Sequence, residues 1–89
     1  MKITTNNGKM FEVQFAEASI IEPNRMIIEL VDERPFAEIA ADFDGLETIT
    51  KSDDDMLEEV KVYEGFSRLY SIQRAVGAKT TLLMLDRIK

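Results

Sequence analysis

The densest concentration of reactive side chains is the run Asp53-Asp54-Asp55, followed closely by Glu58 and Glu59. Clustered carboxylates can hold a divalent cation. A calcium loop, however, alternates its oxygen ligands, turns on a Gly and closes on an acid at fixed spacing. Here the acids are consecutive and no Gly lies among them. The run therefore reads first as a solvated loop that keeps adjoining strands from sticking to other chains. The same acids, together with Glu47, Asp42 and Asp44, could instead imitate a nucleic-acid backbone and so inhibit a DNA-binding protein. Asp42 with Asp44, or Glu58 with Glu59, could be read as an acid/base couple for hydrolysis. Adjacent residues of a strand point to opposite faces, though, and nothing nearby suggests the pocket that would raise a carboxylate pKa.

The second distinctive stretch is Tyr63-Glu64-Gly65-Phe66-Ser67-Arg68-Leu69-Tyr70. Aromatics interleaved with Arg can stack on bases. With only Arg68 and Arg74 at hand in an acidic chain, packing and cross-strand pairing explain the pattern better. Gly8 and Gly65 stand alone and make no phosphate cradle, so nucleotide binding has no support. Asp53, Asp54, Asp55, Glu58, Glu59, Tyr63, Arg68 and Tyr70 are thus a candidate interaction surface. The sequence offers no candidate catalytic, cofactor-binding or metal-ligating residue.

Composition narrows the field further. With no Cys and no His, disulfides, zinc ribbons, thiol nucleophiles, imidazole bases and Ser-His-Asp relays are excluded by inventory. A net charge of −6 and a pI near 4.6 argue against binding a phosphate backbone, which depends on Lys and Arg releasing counterions. Residues 1–59 hold five basic residues against 15 acids, a net of −10, whereas residues 60–89 hold six against two, a net of +4. Exposed on different surfaces, those segments would favour head-to-tail contacts between copies; paired within one sheet, they would match internally. The N-terminal residues lack the apolar core of a signal peptide, and the longest apolar run, Leu82-Leu83-Met84-Leu85, is far shorter than the roughly 20 residues of a membrane span. A cytoplasmic protein is expected, with no membrane contact, no direct nucleic-acid binding and no small-molecule substrate.

At 89 residues the chain is sized for one domain, and 45% apolar with 31% charged residues suits a packed globule. Ile3-Thr4-Thr5 and Met10 to Phe15 flank Asn6-Asn7-Gly8-Lys9, the signature of a hairpin closed by a primed Asn-Gly turn. Phe11, Val13 and Phe15 alternate with Glu12 and Gln14, giving one apolar face. After a turn at Glu22-Pro23-Asn24-Arg25, the run Met26 to Val31 reads as a central strand covered on both faces. Pro35 begins a helix over 35–43, in which Phe36, Ile39, Ala40 and Phe43 recur at i, i+3, i+4 and i+7; Gly45 stops it. Leu46 to Thr50 is a short strand and Lys51 to Asp55 a polar loop. A β signal from Leu57 to Arg74 bends or divides at Gly65, and a last strand follows the turn at Val76-Gly77-Ala78-Lys79.

The Lys2-Ile3-Thr4, Asn7-Gly8-Lys9 and Phe11-Glu12-Val13 hairpin, the helix led by Pro35-Phe36, the Tyr63-Glu64-Gly65-Phe66 strand and the terminal Leu82-Leu83-Met84-Leu85 strand resemble small uncharacterised proteins of bacterial prophages and other mobile elements, encoded among their structural genes. The resemblance implies a virion, tail or head-associated assembly role and transfers no site residues.

The expectation is an α+β domain spanning 1–89: a curled antiparallel β-sheet, meander or barrel-like, of five to seven strands, with one short helix near residues 35–43. Its core should contain Phe11, Val13, Phe15, Ile28, Leu30, Phe36, Ile39, Phe43, Val62, Phe66, Leu69, Ile72, Leu83 and Leu85. A small core with sheet edges gains from subunit contacts, so a homo-oligomer or another protein partner is expected, acting as an assembly or protein–protein interaction module without a cofactor.

Overall fold

A computed structural model describes residues 1–52 and 60–87. Seven strands, β1 (Lys2–Thr5), β2 (Met10–Ala18), β3 (Arg25–Leu30), β4 (Thr48–Ser52), β5 (Val60–Glu64), β6 (Arg68–Gln73) and β7 (Thr81–Asp86), form one antiparallel sheet with a single helix α1 (Phe36–Phe43) between β3 and β4. The strand order is β5-β4-β1-β2-β3-β7-β6, and the sheet is not closed. Only β1, β2 and β3 run as a meander. The chain then adds β4 and β5 outside β1, crosses over, and adds β6 and β7 outside β3.

Local chemistry accounts for each turn. The β1–β2 hairpin is closed by Gly8 N–H to Thr5 O (2.9 Å) and Thr5 N–H to Lys9 O (2.9 Å), with Gly8 at φ +84° and Asn7 outside the left-handed region. That is the three-residue turn with a glycine bulge, not the primed two-residue turn expected from Asn-Gly. Thr5 Oγ1 also bonds the Asn7 side chain, which fixes the loop.

A bulge between Val13 and Phe15 changes the parity of β2. Val13 pairs with Leu30 and Phe15 with Glu29, so Gln14 is the extra residue. Beyond it Ala16 points into the core at 0% exposure and Phe15 points out at 44%, which removes Phe15 from the expected core. On β3, Met26, Ile28 and Leu30 are fully buried, whereas Arg25, Ile27 and Glu29 on the opposite face are half-buried. The strand is central, with one face sealed and the other only partly covered.

Pro35 caps α1, and Ile39 and Phe43 are buried as its spacing predicts. Phe36 is not: it sits in the first turn, 41% exposed, with the Arg74 guanidinium 4.9 Å from its ring centre. Gly45, at φ +75°, ends the helix and donates to Ser67 O (2.8 Å). Phe43 packs on Phe11 with ring centres 4.8 Å apart.

Two expectations about the β4–β5 region are corrected. Lys51 and Ser52 belong to β4 and not to a loop, and Lys51 is buried. Val62 is 57% exposed because it pairs with Thr50 on the outer face, while the inward positions of β5 are Lys61 and Tyr63, opposite Lys51 and Ile49. The long β signal divides at Gly65-Phe66-Ser67. Gly65 has φ +82°, and a side chain there would meet Arg87 Cγ at 3.3 Å. Phe66, Leu83 and Leu85 are buried as expected, and Phe11, Leu69 and Ile72 are partly buried against the core. The core also takes Ile3, Ala16, Met26, Leu46 and Ile49.

Candidate interaction surface

The β2–β3 hairpin presents the most exposed apolar side chains of the described residues that lie next to one another. Its loop is held by Ser19 N–H to Arg25 O (2.7 Å), Arg25 N–H to Glu22 O (2.9 Å) and Arg87 N–H to Asn24 O (2.7 Å). Ser19 Oγ accepts from the Glu22 N–H (3.1 Å). Pro23 presets the turn. These bonds leave Ile20 and Ile21 at the tip, 98% and 96% exposed. Behind the tip, Phe15, Ala18 and Ile27 line an open groove of about 570 Å³. The bulge at Gln14 builds this groove, since it turns Phe15 outward.

Glu17 stands at one wall of the groove and is the hub of a polar cluster. Lys51 Nζ bonds Glu17 Oε1 and donates to Ala16 O (2.8 Å), Tyr63 Oη donates to Glu17 Oε2 (2.8 Å), and Lys61 Nζ lies 3.8 Å from Oε1. Here β2 has passed the end of β1, and the Lys51 ammonium occupies the place of a ladder partner for the Ala16 carbonyl. The Lys51 hydrogen bond holds the Glu17 carboxyl below its ordinary range, and burial followed by the bond to Glu17 pushes the Tyr63 hydroxyl up.

On the β3–β7–β6 side, Arg25 grips Asp86 with two bonds (2.8 and 3.2 Å) and lies 3.9 Å over the Tyr70 ring. The Arg25 bond also lowers the Asp86 pKa. Arg68 pairs in register with Asp86 and is exposed, and Tyr70 sits at the β6 bulge, 55% exposed. Tyr63 and Tyr70 therefore lie on opposite edge strands. Asp53, Asp54, Asp55, Glu58 and Glu59, the other members of the sequence-derived surface, lie outside the described residues.

A third cluster closes the helix end. Asp42, almost buried, bonds Lys9 and takes Arg34 Nη2 at 2.9 Å, while Arg34 also grips Asp32. Arg74 spans Thr81 Oγ1 (2.8 Å) and the Arg34 carbonyl (2.6 Å). The Lys9 hydrogen bond, joined by Arg34, lowers the Asp42 pKa. Carboxylates held ionised in this way are anchors rather than proton donors. Asp44, the proposed companion of Asp42, is exposed and outside this cluster. Among the described residues no group of three or more acidic side chains is arranged to hold a metal ion, and no helix is long and apolar enough to cross a membrane.

The sequence reading passed over Ile20-Ile21 as a lead-in to the Pro23 turn. Its available signal was two adjacent β-branched apolar residues immediately before turn residues, where no strand alternation could bury both. No family model, curated protein or solved structure matches the chain.

Proposed function

We propose that the chain is a non-enzymatic assembly module that works through protein–protein contact between copies, in the manner its prophage resemblance implies. The observation that supports this most strongly is the pair of fully exposed isoleucines beside an apolar groove, on a loop fixed by hydrogen bonds. Single exposed apolar residues are ordinary; a contiguous cluster on a rigid hairpin marks a contact surface. Such a module needs no cofactor and acts in the cytoplasm or within a virion.

The sheet itself we read as curled and barrel-like, with α1 covering one end. Edge strands β5 and β6 are joined by only three residues, 65–67. Four peptide steps reach at most about 14 Å, whereas the edges of a flat seven-stranded sheet would lie roughly 29 Å apart. Gly65 N–H to Glu47 O (2.8 Å) and Arg87 Nε to Glu64 O (3.0 Å) support the same closure. A curled sheet draws its edges together, which leaves the hairpin tip as the more prominent contact.

Light scattering coupled to size exclusion, at low and high salt and over a range of concentrations, tests the function. A concentration-dependent multimer is expected. A monomer of 10.2 kDa under every condition would refute assembly and favour an acidic inhibitor of a nucleic-acid-binding protein.

A further inference from the structure

We infer that the contact between copies is a two-fold one made by the β2–β3 hairpin, in which Ile20 and Ile21 of each copy seat in the groove floored by Phe15, Ala18 and Ile27 of the other. The inference rests on the assembly reading above and names its surface and its occupant, a second copy of this chain.

Projection and groove lie side by side on one hairpin. That is the arrangement a two-fold contact requires, because residue i must meet residue j while j meets i. The loop is already fixed by its backbone bonds and by Arg87, so docking the isoleucines orders little that was free. The apolar surface of the tip and groove amounts to roughly 500 Å² per copy, so a pair removes roughly 1,000 Å², the threshold for a specific interface of modest affinity.

Charge selects among occupants. Glu17 and Glu22 border the patch, and the chain carries −6 overall. An anionic bilayer is therefore disfavoured, since such surfaces attract Lys and Arg. Two like-charged copies joined by apolar contact repel, and salt screens that repulsion. The dimer should tighten as salt rises. A head-to-tail contact built on the acidic 1–59 and basic 60–89 segments would loosen instead, and much of that asymmetry is already matched inside the fold by Arg25 with Asp86 and Lys61 with Glu17.

The test is sedimentation equilibrium of the full chain, of Ile21→Asp, and of Val62→Asp as a control on the outer face of β5. Both replaced side chains are exposed, so circular dichroism should show unchanged folding. The expected result is a wild-type dimer whose dissociation constant falls with salt and rises about a hundredfold or more in Ile21→Asp, because the contact occurs twice, with Val62→Asp like the wild type. A multimer that survives Ile21→Asp, dissolves in Val62→Asp, or loosens with salt overturns the hairpin contact while leaving assembly intact. A monomer throughout overturns both.

Discussion

Replacing Glu17 by Ala should destabilise the fold far more than replacing Lys51 by Met, although the two side chains form one ion pair. The difference lies in what each substitution leaves behind. The Lys51 side chain is 8% exposed and the Glu17 side chain 39%. Without Glu17, the Lys51 ammonium keeps only the Ala16 carbonyl, and Tyr63 Oη loses its acceptor. Removing one partner of a fully buried pair costs about 3–5 kcal/mol, and the partial exposure of Glu17 reduces the expected loss here to about 2–3 kcal/mol. Lys51→Met removes the buried charge, keeps most of the volume, and leaves a carboxylate that still has water, Tyr63 and Lys61 around it. Its effect should fall between about −1 and +1 kcal/mol. The double variant should recover most of the Glu17→Ala loss. Urea unfolding followed by far-ultraviolet circular dichroism measures all three; in a domain of this size 2–3 kcal/mol is a fall in Tm of about 10–20 °C. If Lys51→Met proves as damaging as Glu17→Ala, the reasoning fails, and the bond from Lys51 to the Ala16 carbonyl is what holds β4 against β2.

Two further outcomes follow from the packing and the charges. Phe66→Ala should cost about 3–5 kcal/mol, since its ring is 1% exposed beneath Arg87, whereas Val62→Thr, on the outer face of β5, should change stability by about 0.5 kcal/mol or less; the same urea titration compares them. Glu17, Asp42 and Asp86 all have native pKa values below the ordinary 4.5 and 3.8. Each therefore stabilises the fold fully above its ordinary value and loses that contribution as pH falls through its lowered native one. Stability should be level from neutrality down to about pH 5 and decline below it, and a midpoint that rose on acidification would contradict these pairings.

How much of this was legible in the sequence depended on whether the deciding interaction was local. The α1 helix, the β1–β2 hairpin and the division at Gly65 each announce themselves within a few residues, through the spacing of Ile39 and Phe43, the Asn-Gly turn, and a glycine inside a β pattern. Parity was not local. A single inserted residue, Gln14, decides that Phe15 faces out and Ala16 in, and alternation alone treats Phe15 as the continuation of Phe11 and Val13. Val62 was misassigned for the same reason in reverse: the apolar residues of β5 face solvent because its neighbours Ile49 and Lys51 fix the inward register on Tyr63 and Lys61. A buried Lys is improbable on composition, so only the acceptors Ala16 O and Glu17, 35 and 34 residues away, make its position intelligible.

The bulge links these misreadings to the proposed function. Had β2 kept its register past Val13, Phe15 would have joined the core and the groove beneath Ile20 and Ile21 would have lacked its aromatic wall. Bulges re-aim side chains at the cost of a ladder bond, and here the re-aimed residue extends an apolar surface that contributes nothing to the monomer's own core. Ile20 and Ile21, at 98% and 96% exposure, are likewise free of any duty in the fold. Stability and contact are therefore separable in this chain: Phe66, Asp42 and the Lys51–Glu17 pair hold the sheet and helix together, and the outer face of the β2–β3 hairpin is left available for another surface. That separation is what allows Ile21→Asp to interrogate association without disturbing the fold.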